Sequence, residues 1–276
     1  MDPAGALTEE LYKGLRRMST VFSGRSRGLS IAAADLVGGF DLSQTKSPYA
    51  DSQEANLELA KWLALATMFV DHYGKIVDQD LYLPTHAVGR LSFPLFATII
   101  GLRLAQRPER ASRYVKRLLP WAIISQPVFV VAGRDWFDGN ILLTLLLGVL
   151  ATDLVRRYIS IRAWPLLLAL VVLLAVAWFC EFGPVGAMMV PLTAMLASNE
   201  RRHRGLWASG PLGLAANLTL ARPPLQWVDL TSLLASVAAI GSTKLPVRLP
   251  RLPTHFFYAS YPGHLLALHY YDLSAI

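Results

Sequence analysis

From Leu57 onward the chain alternates long apolar runs with short polar connections, and this spacing limits the fold more than any single residue does. A helix needs ~20 residues to cross the hydrocarbon core of a bilayer. Runs of about that size fall at about 57–76, 87–104, 115–133, 140–156, 163–180, 183–198, 205–220, 228–243 and 255–271. The pattern predicts an all-α fold: a polytopic membrane helix bundle of about nine transmembrane spans. Composition agrees, with 54% apolar and 16% charged residues. The seventh and eighth runs are the weakest. "WASGPLGLAANLTLA" is small and rich in Gly and Pro, and "VDLTSLLASVAAIGS" is barely long enough. Either suits a tilted, re-entrant or interfacial segment.

The formal net charge of +7 does not point to nucleic acid. Lys and Arg fall in short clusters between apolar runs, with no basic face and no interleaving of aromatic and basic residues. The clusters instead follow alternate connections, as the excess of Lys and Arg in cytoplasmic loops requires. One side receives the basic N-terminal segment, Arg103 to Arg117, Arg156, Arg157 and Arg162, "RRHR" at 201–204, and Lys244, Arg248 and Arg251. The other receives Asp78, Asp80, Arg134, Asp135, Asp138, Glu181, Arg222, Asp229 and Asp272. The split predicts a cytoplasmic N-terminus and an outside C-terminus.

Two regions are expected. Residues 1–55 form a basic amphipathic N-terminal segment and linker. Leu11, Leu15, Met18 and Phe22 stand at helical spacing beside Lys13, Arg16, Arg17, Arg25 and Arg27, a pattern suited to an anionic lipid surface. The segment lacks the continuous apolar core and small-residue cleavage site of a signal peptide. Residues 56–276 form the transmembrane domain. The single cysteine, Cys180, rules out an internal disulfide and a multi-cysteine metal site.

Ionisable residues inside such runs mark function by default. "LATMFVDHYGKIVD" carries Asp71, His72 and Lys75 within five residues near the outer end of the first run. On a helix Asp71 and Lys75 form an i, i+4 pair. Asp71 lies about 100° from His72, so an orienting partner for that imidazole has to come from another helix. The bland alternative is that the triplet only snorkels to the interface. At the same level "HAVGRLSFPLF" brings His86 and Arg90, "FDGNILL" brings Asp138 and Asn140, and Glu181 stands in "FCEFGPVG". His264, in "YASYPGHLLALHYY", sits deeper in the last run. Each has an ordinary reading by itself: Asp138 or Asn140 caps a helix, and Arg90 anchors to lipid phosphate. Together, two histidines on different helices with an arginine and carboxylates nearby suit proton transfer and stabilisation of an oxyanion. No Gly-rich phosphate loop, Gly-x-Ser-x-Gly or HExxH motif is present, and His72 and His264, two ligands on separate helices, make a weak case for a metal, so none is expected.

The ordered set "KWLALATMFVDHYGKI", "VGRLSFPLFATIIGLRLA", "YVKRLLPWAIISQPVF" and "GNILLTLLLGVL", followed by "FGPVGAMMVP" and "YPGHLLAL", resembles the TraX family of conjugative pilin N-acetylases. The likeness covers about 57–271 and is densest over 57–157. Residues 1–55 have no counterpart in it, and 199–254 match weakly. Its signature is carried here by Asp71, His72, Gly89, Arg90, Phe93 and Pro94, with Arg117, Gln126, Asn140 and His264 at later positions. The first-span Met-x-x-x-His pattern is also similar to that of wider transmembrane acyltransferases.

The resemblance implies a multi-pass enzyme of the bacterial inner membrane that takes an acetyl group from acetyl-CoA to the α-amino group of a processed pilin subunit. His72 would be the general base or a transient acyl carrier, Arg90 and Asn140 would polarise the thioester carbonyl, and Asp71 and His264 would complete the site. Arg107, Arg110, Arg113, Lys116 and Arg117 would grip the phosphates of acetyl-CoA, unless that loop serves topology alone. A joining enzyme for pilin termini, a non-catalytic pilin chaperone and a small transporter are the alternatives. The lack of internal repeat symmetry speaks against the last.

Overall fold

The computed structural model describes residues 48–197, 202–218, 227–245, 249–251 and 253–275. Most of the expected N-terminal amphipathic segment lies outside them, as do Arg201, Arg222 and Arg248 of the expected charge split. The fold below is that of the unit Asp51–Ile276.

The described residues are helical, with no named strand. The helices are α1 (Pro48–Ile76), α2 (Tyr82–Gly89), α3 (Ser92–Gln106), α4 (Ala111–Val131), α5 (Ile141–Ile161), α6 (Trp164–Ala177), α7 (Gly183–Leu196), α8 (Arg202–Leu218), α9 (Leu234–Lys244) and α10 (Thr254–Ala275). Short 3-10 turns stand at Gln79–Leu81, Pro108–Arg110 and Trp227–Leu233. Local chemistry sets several boundaries. Asp78 accepts from the amides of Asp80 and Leu81 to start the first 3-10 turn, and Asn140 caps α5. Pro165 and Pro184 stand in the first turns of α6 and α7, where a missing N–H leaves no bond unmade.

Each expected apolar run coincides with helix, but two are broken. The second run divides into α2 and α3 at Arg90–Leu91. Pro94 has no N–H to offer the Arg90 carbonyl four residues back, so a continuous helix would lose that bond and clash there. The eighth run is a 3-10 turn, Trp227–Leu233, followed by the 11-residue α9. By length and apolarity one helical stretch among the described residues, Gln79–Gln106, suffices to cross a membrane by itself. The apolar α6 and α7 have 14 residues each, ~21 Å of helix at 1.5 Å per residue, short of a full crossing.

α7 is central, packing on α3, α5 and α8. Its backbone comes close: a Cβ on Gly101 of α3 would meet the Val190 carbonyl at 2.9 Å, and one on Gly148 of α5 the Ala187 carbonyl at 2.9 Å. Around α7 the core gathers Phe93, Leu95, Leu102, Met189 and Val190 with Leu65 and Met68 of α1 and Leu265 of α10. Phe93, at the start of α3, stacks on Phe182 at a ring separation of 3.8 Å. That contact ties the break after Arg90 to the turn that carries Glu181.

Candidate active site

A cleft of about 990 Å³ opens at the end of the bundle where α1 finishes. Asp71, Lys75, His86, Arg90, Arg134, Asp138, Glu181 and Asn217 are among its lining residues. Of the polar groups expected together, Asp71, Lys75, His86, Arg90, Asp138 and Glu181 share this cleft, and His72, Asn140 and His264 do not line it. The expected Asp71–Lys75 pair forms, and the orienter of His72 comes from another helix as expected.

Asp71 does not orient its neighbour His72. Its Oδ2 accepts from Lys75 Nζ at 2.5 Å, and its Oδ1 accepts from Nδ1 of His86 at 2.8 Å. With Nδ1–H given to the carboxylate, the neutral His86 ring has Nε2 as its unprotonated nitrogen. The ring also stacks on Tyr82, with centroids 4.9 Å apart. This pairing depends on two glycines. A Cβ on Gly89 would stand 2.2 Å from the Asp71 Cβ, and one on Gly74 would stand 1.8 Å from Thr85 Oγ1. Gly74 on α1 and Gly89 on α2 thus allow the two helices to touch. In the sequence His86 was visible as a polar residue at the right level, but nothing local indicated its carboxylate partner 15 residues away.

His72 finds its partner on the last helix. His264 Nδ1 lies 2.6 Å from the Ser260 carbonyl, and its Nε2 lies 2.8 Å from His72 Nδ1. A carbonyl only accepts, so His264 Nδ1 carries a proton. Neither ring hydrogen-bonds a carboxylate among the described residues, and with both rings neutral the remaining assignment is forced. His264 Nε2 accepts from His72 Nδ1–H, which leaves the lone pair on His72 Nε2. His264 is buried and His72 half-buried. Phe69 packs on His264 with centroids 4.5 Å apart, and Tyr261 stands edge-on to both rings. This pair is not part of the cleft lining, which reaches α1 at Asp71 and Lys75, on either side of His72 in the sequence.

Arg90 sits at the α2–α3 break. Its Nη1 donates to Asn217 Oδ1 at 3.0 Å, and its Nη2 faces Asp229 Oδ1 at 2.9 Å. Across the cleft, backbone bonds from Gly139 N to Phe179 O at 2.6 Å and from Glu181 N to Gly139 O at 2.8 Å lock two turns together. Glu181 lies 3.9 Å from Arg134. Burial pushes its carboxyl above the ordinary carboxylate range, and the Arg134 charge opposes that shift.

Asn140 does not fit the expected role of polarising a carbonyl, because every part of its amide is in use. Oδ1 accepts from the amides of Leu142 at 3.0 Å and Leu143 at 3.1 Å. Nδ2 donates to Ala122 O and Gln126 Oε1, both at 2.8 Å. Gln126 Nε2 in turn donates to Asp138 O at 2.7 Å. Asn140 is a helix cap that, with Gln126, fixes the loop on the cleft wall. Asn140→Ala should lower stability by ~1–2 kcal/mol, read as a shifted unfolding midpoint, while the folded fraction keeps its activity.

The expected basic loop lies at the opposite end. Glu58 of α1 faces Arg103 at 3.7 Å, and Glu58 and Asp71 are separated by thirteen residues of α1, ~20 Å along the axis. Arg107, Arg113, Lys116 and Arg117 are exposed and Arg110 is half-buried. The buried Nε atoms of Arg103 and Arg110 have no hydrogen-bond partner among the described residues. Arg103, Arg110 and Arg117 are close enough to Tyr114 to act on it electrostatically. Among the described residues no group of three or more His, Cys, Asp and Glu could hold a metal ion.

The fold and cleft define a helix-bundle protein with three hydrogen-bonded histidines and a half-buried arginine. The family profile described as TraX protein matches residues 56–271, and the chain belongs to that family. Two relatives called Protein TraX, from Escherichia coli strain K12 and from Escherichia coli, are 29% and 30% identical to it. Each likeness runs over 225 residues, 76% of this chain and 85% of the relative. No solved structure matches.

Proposed function

We propose that this protein is an inner-membrane acetyltransferase that moves an acetyl group from acetyl-CoA to the α-amino group of a processed conjugative pilin subunit. The observation that carries the reading is the His264–His72 chain, which leaves a lone pair on His72 Nε2, His72 being the residue after Asp71 of the cleft that Arg90 also lines. In the reaction the amine attacks the thioester carbonyl, His72 Nε2 takes the amine proton, and Arg90 stabilises the oxyanion. The C–N bond forms and the C–S bond breaks, and the leaving thiolate recovers the proton from His72. Membership of the TraX family supports the pilin acceptor.

The lateral surface supports a membrane setting with lipid as a neighbour. Ile123 is 63% exposed, and Leu168, Val171 and Val172 form an exposed apolar flank on α6. Such a flank suits hydrocarbon better than water. A second assignment of the base has its own support: His86, oriented by Asp71, lines the cleft directly.

The test is the intact mass of pilin from cells with and without this protein. A gain of one acetyl group is expected. Loss of one water would identify a terminus-joining reaction instead, and an unchanged mass would sink the enzymatic reading.

For the donor, the buried Nε–H groups of Arg103 and Arg110 suit phosphate better than the exposed Arg107 and Arg113. An extended donor entering there would span the ~20 Å of α1 to reach the cleft. Arg110→Gln should weaken acetyl-CoA binding by roughly 10-fold or more, the loss of one charge-assisted contact. Arg107→Gln and Arg113→Gln should change it by less than about 5-fold, since solvated contacts contribute ~0–1 kcal/mol. Titration of the purified variants decides between them. Equal effects at all three positions would return the binding site to the whole loop.

A further inference from the structure

We propose that Asn217 and Asp229 are positioning residues that hold the Arg90 guanidinium in one plane, so that its remaining N–H edge serves an oxyanion in the cleft. The proposal rests on the placement of Arg90 in the reaction above. It assigns a task to segments whose sequence, short and rich in small residues, carries no catalytic signal.

The geometry begins with Pro94. Lacking an N–H, it leaves the Arg90 carbonyl without its helical donor, and Asn217 Nδ2 approaches that carbonyl at 3.5 Å. The same amide meets the side chain, with Oδ1 accepting from Arg90 Nη1 at 3.0 Å. Asn217 is itself fixed, because Nδ2 also donates to Ser232 Oγ at 2.5 Å. Asp229, whose side chain is 2% exposed, faces Nη2 at 2.9 Å. Thr231 Oγ1 reaches back to the Ala87 carbonyl at 2.6 Å, tying the 3-10 turn to α2. α8 and the Trp227–Leu233 turn therefore grip Arg90 from two sides.

A guanidinium has five N–H donors in a rigid plane. Asn217 holds one terminal nitrogen by a hydrogen bond and the Asp229 carboxylate draws the other by ion pairing, and together they set the direction of the plane. The buried Nε has no hydrogen-bond partner among the described residues, and Arg90 and Asn217 both line the cleft. Stability alone is a weak reason for such a pair, because desolvating two charges offsets much of their attraction. A donor held in place before charge develops is what transition-state stabilisation requires.

The experiment uses the full-length protein in nanodiscs, with Asp229→Asn, Asp229→Glu and Asn217→Ser variants. Arg90 is labelled with phenylglyoxal and quantified by peptide mass spectrometry, with Arg134 as internal reference. Labelling at Arg90 should rise several-fold in Asp229→Asn and Asn217→Ser, with Arg134 unchanged. Turnover should fall roughly 10- to 100-fold while KM for acetyl-CoA moves less than about 3-fold, and Asp229→Glu should recover part of the loss. Unchanged labelling in both variants overturns the proposal, as does raised labelling with wild-type turnover. Should Asp229→Asn fail to accumulate, Asn217→Ser carries both readouts. If the wild-type protein transfers no acetyl group, the acetyltransferase reading falls, and the labelling alone still decides whether Arg90 is held.

Discussion

His72→Ala should lower pilin modification by at least ~100-fold, the lower bound of what a positioned general base supplies, while the protein still accumulates in the membrane. The expectation follows from the tautomer chain. His264 Nδ1 is committed to the Ser260 carbonyl and its Nε2 to His72, so the His72 Nε2 lone pair is the free base of the pair. His264→Ala should act in the same direction with a smaller loss, because His72 would remain but with neither tautomer nor ring plane fixed. His264→Gln, whose amide oxygen can still accept from His72 Nδ1–H, should retain more activity than His264→Ala. The measurement is acetylated pilin against total pilin by intact mass, normalised to the membrane content of each variant. His86→Ala is the informative companion. If His86→Ala abolishes modification and His72→Ala does not, the base belongs to the Asp71–His86 pair, and the His72–His264 contact is a helix–helix hydrogen bond.

Gly89→Ala should be nearly as damaging, although it adds one methyl group. The new Cβ would stand 2.2 Å from the Asp71 Cβ and 2.4 Å from its Cγ. The Asp71 Cβ is fixed to the backbone, so relief requires α1 and α2 to separate. That movement breaks the 2.8 Å contact between Asp71 and His86 and displaces Arg90, the next residue. Overpacking of this kind costs ~1–3 kcal/mol, and a shift of about 1 Å at a reacting group is enough for a 100-fold loss of rate. Gly241→Ala is the matched control. Nothing lies within 4 Å of the added Cβ there, and alanine in a helix interior is favoured over glycine by roughly 0.5–1 kcal/mol. Gly241→Ala should therefore be neutral or slightly stabilising. Similar melting and activity for the two variants would mean that α1 and α2 are not in contact at Gly89.

The sequence carried the helical character of the chain and the level at which its polar groups meet, because both depend on local spacing. Apolar runs of uniform length predict helices wherever they fall, and all nine expected runs coincide with helix in the described residues. The need for an orienter of His72 from another helix was also legible, since Asp71 lies about 100° away around α1. Asn140 could be read locally either as a cap or as a catalytic amide. Its bonds to Leu142, Leu143, Ala122 and Gln126 decide for the cap.

Which partner meets which could not be read along the chain. His264 reaches His72 across 192 residues, and Arg90 meets Asn217 across 127. The division of carboxylates had the same character: Asp71 went to His86, and Asp229, in a segment with no legible role, went to Arg90. The sequence by itself determined the helices and which end of them carries the polar residues, because 3.6-residue periodicity and the placement of charge act on each segment separately. Only the tertiary structure decided the pairings, because they depend on how closely two helices approach. That distance is set by contacts such as Gly89 against Asp71, where the absence of one Cβ lets the backbones meet.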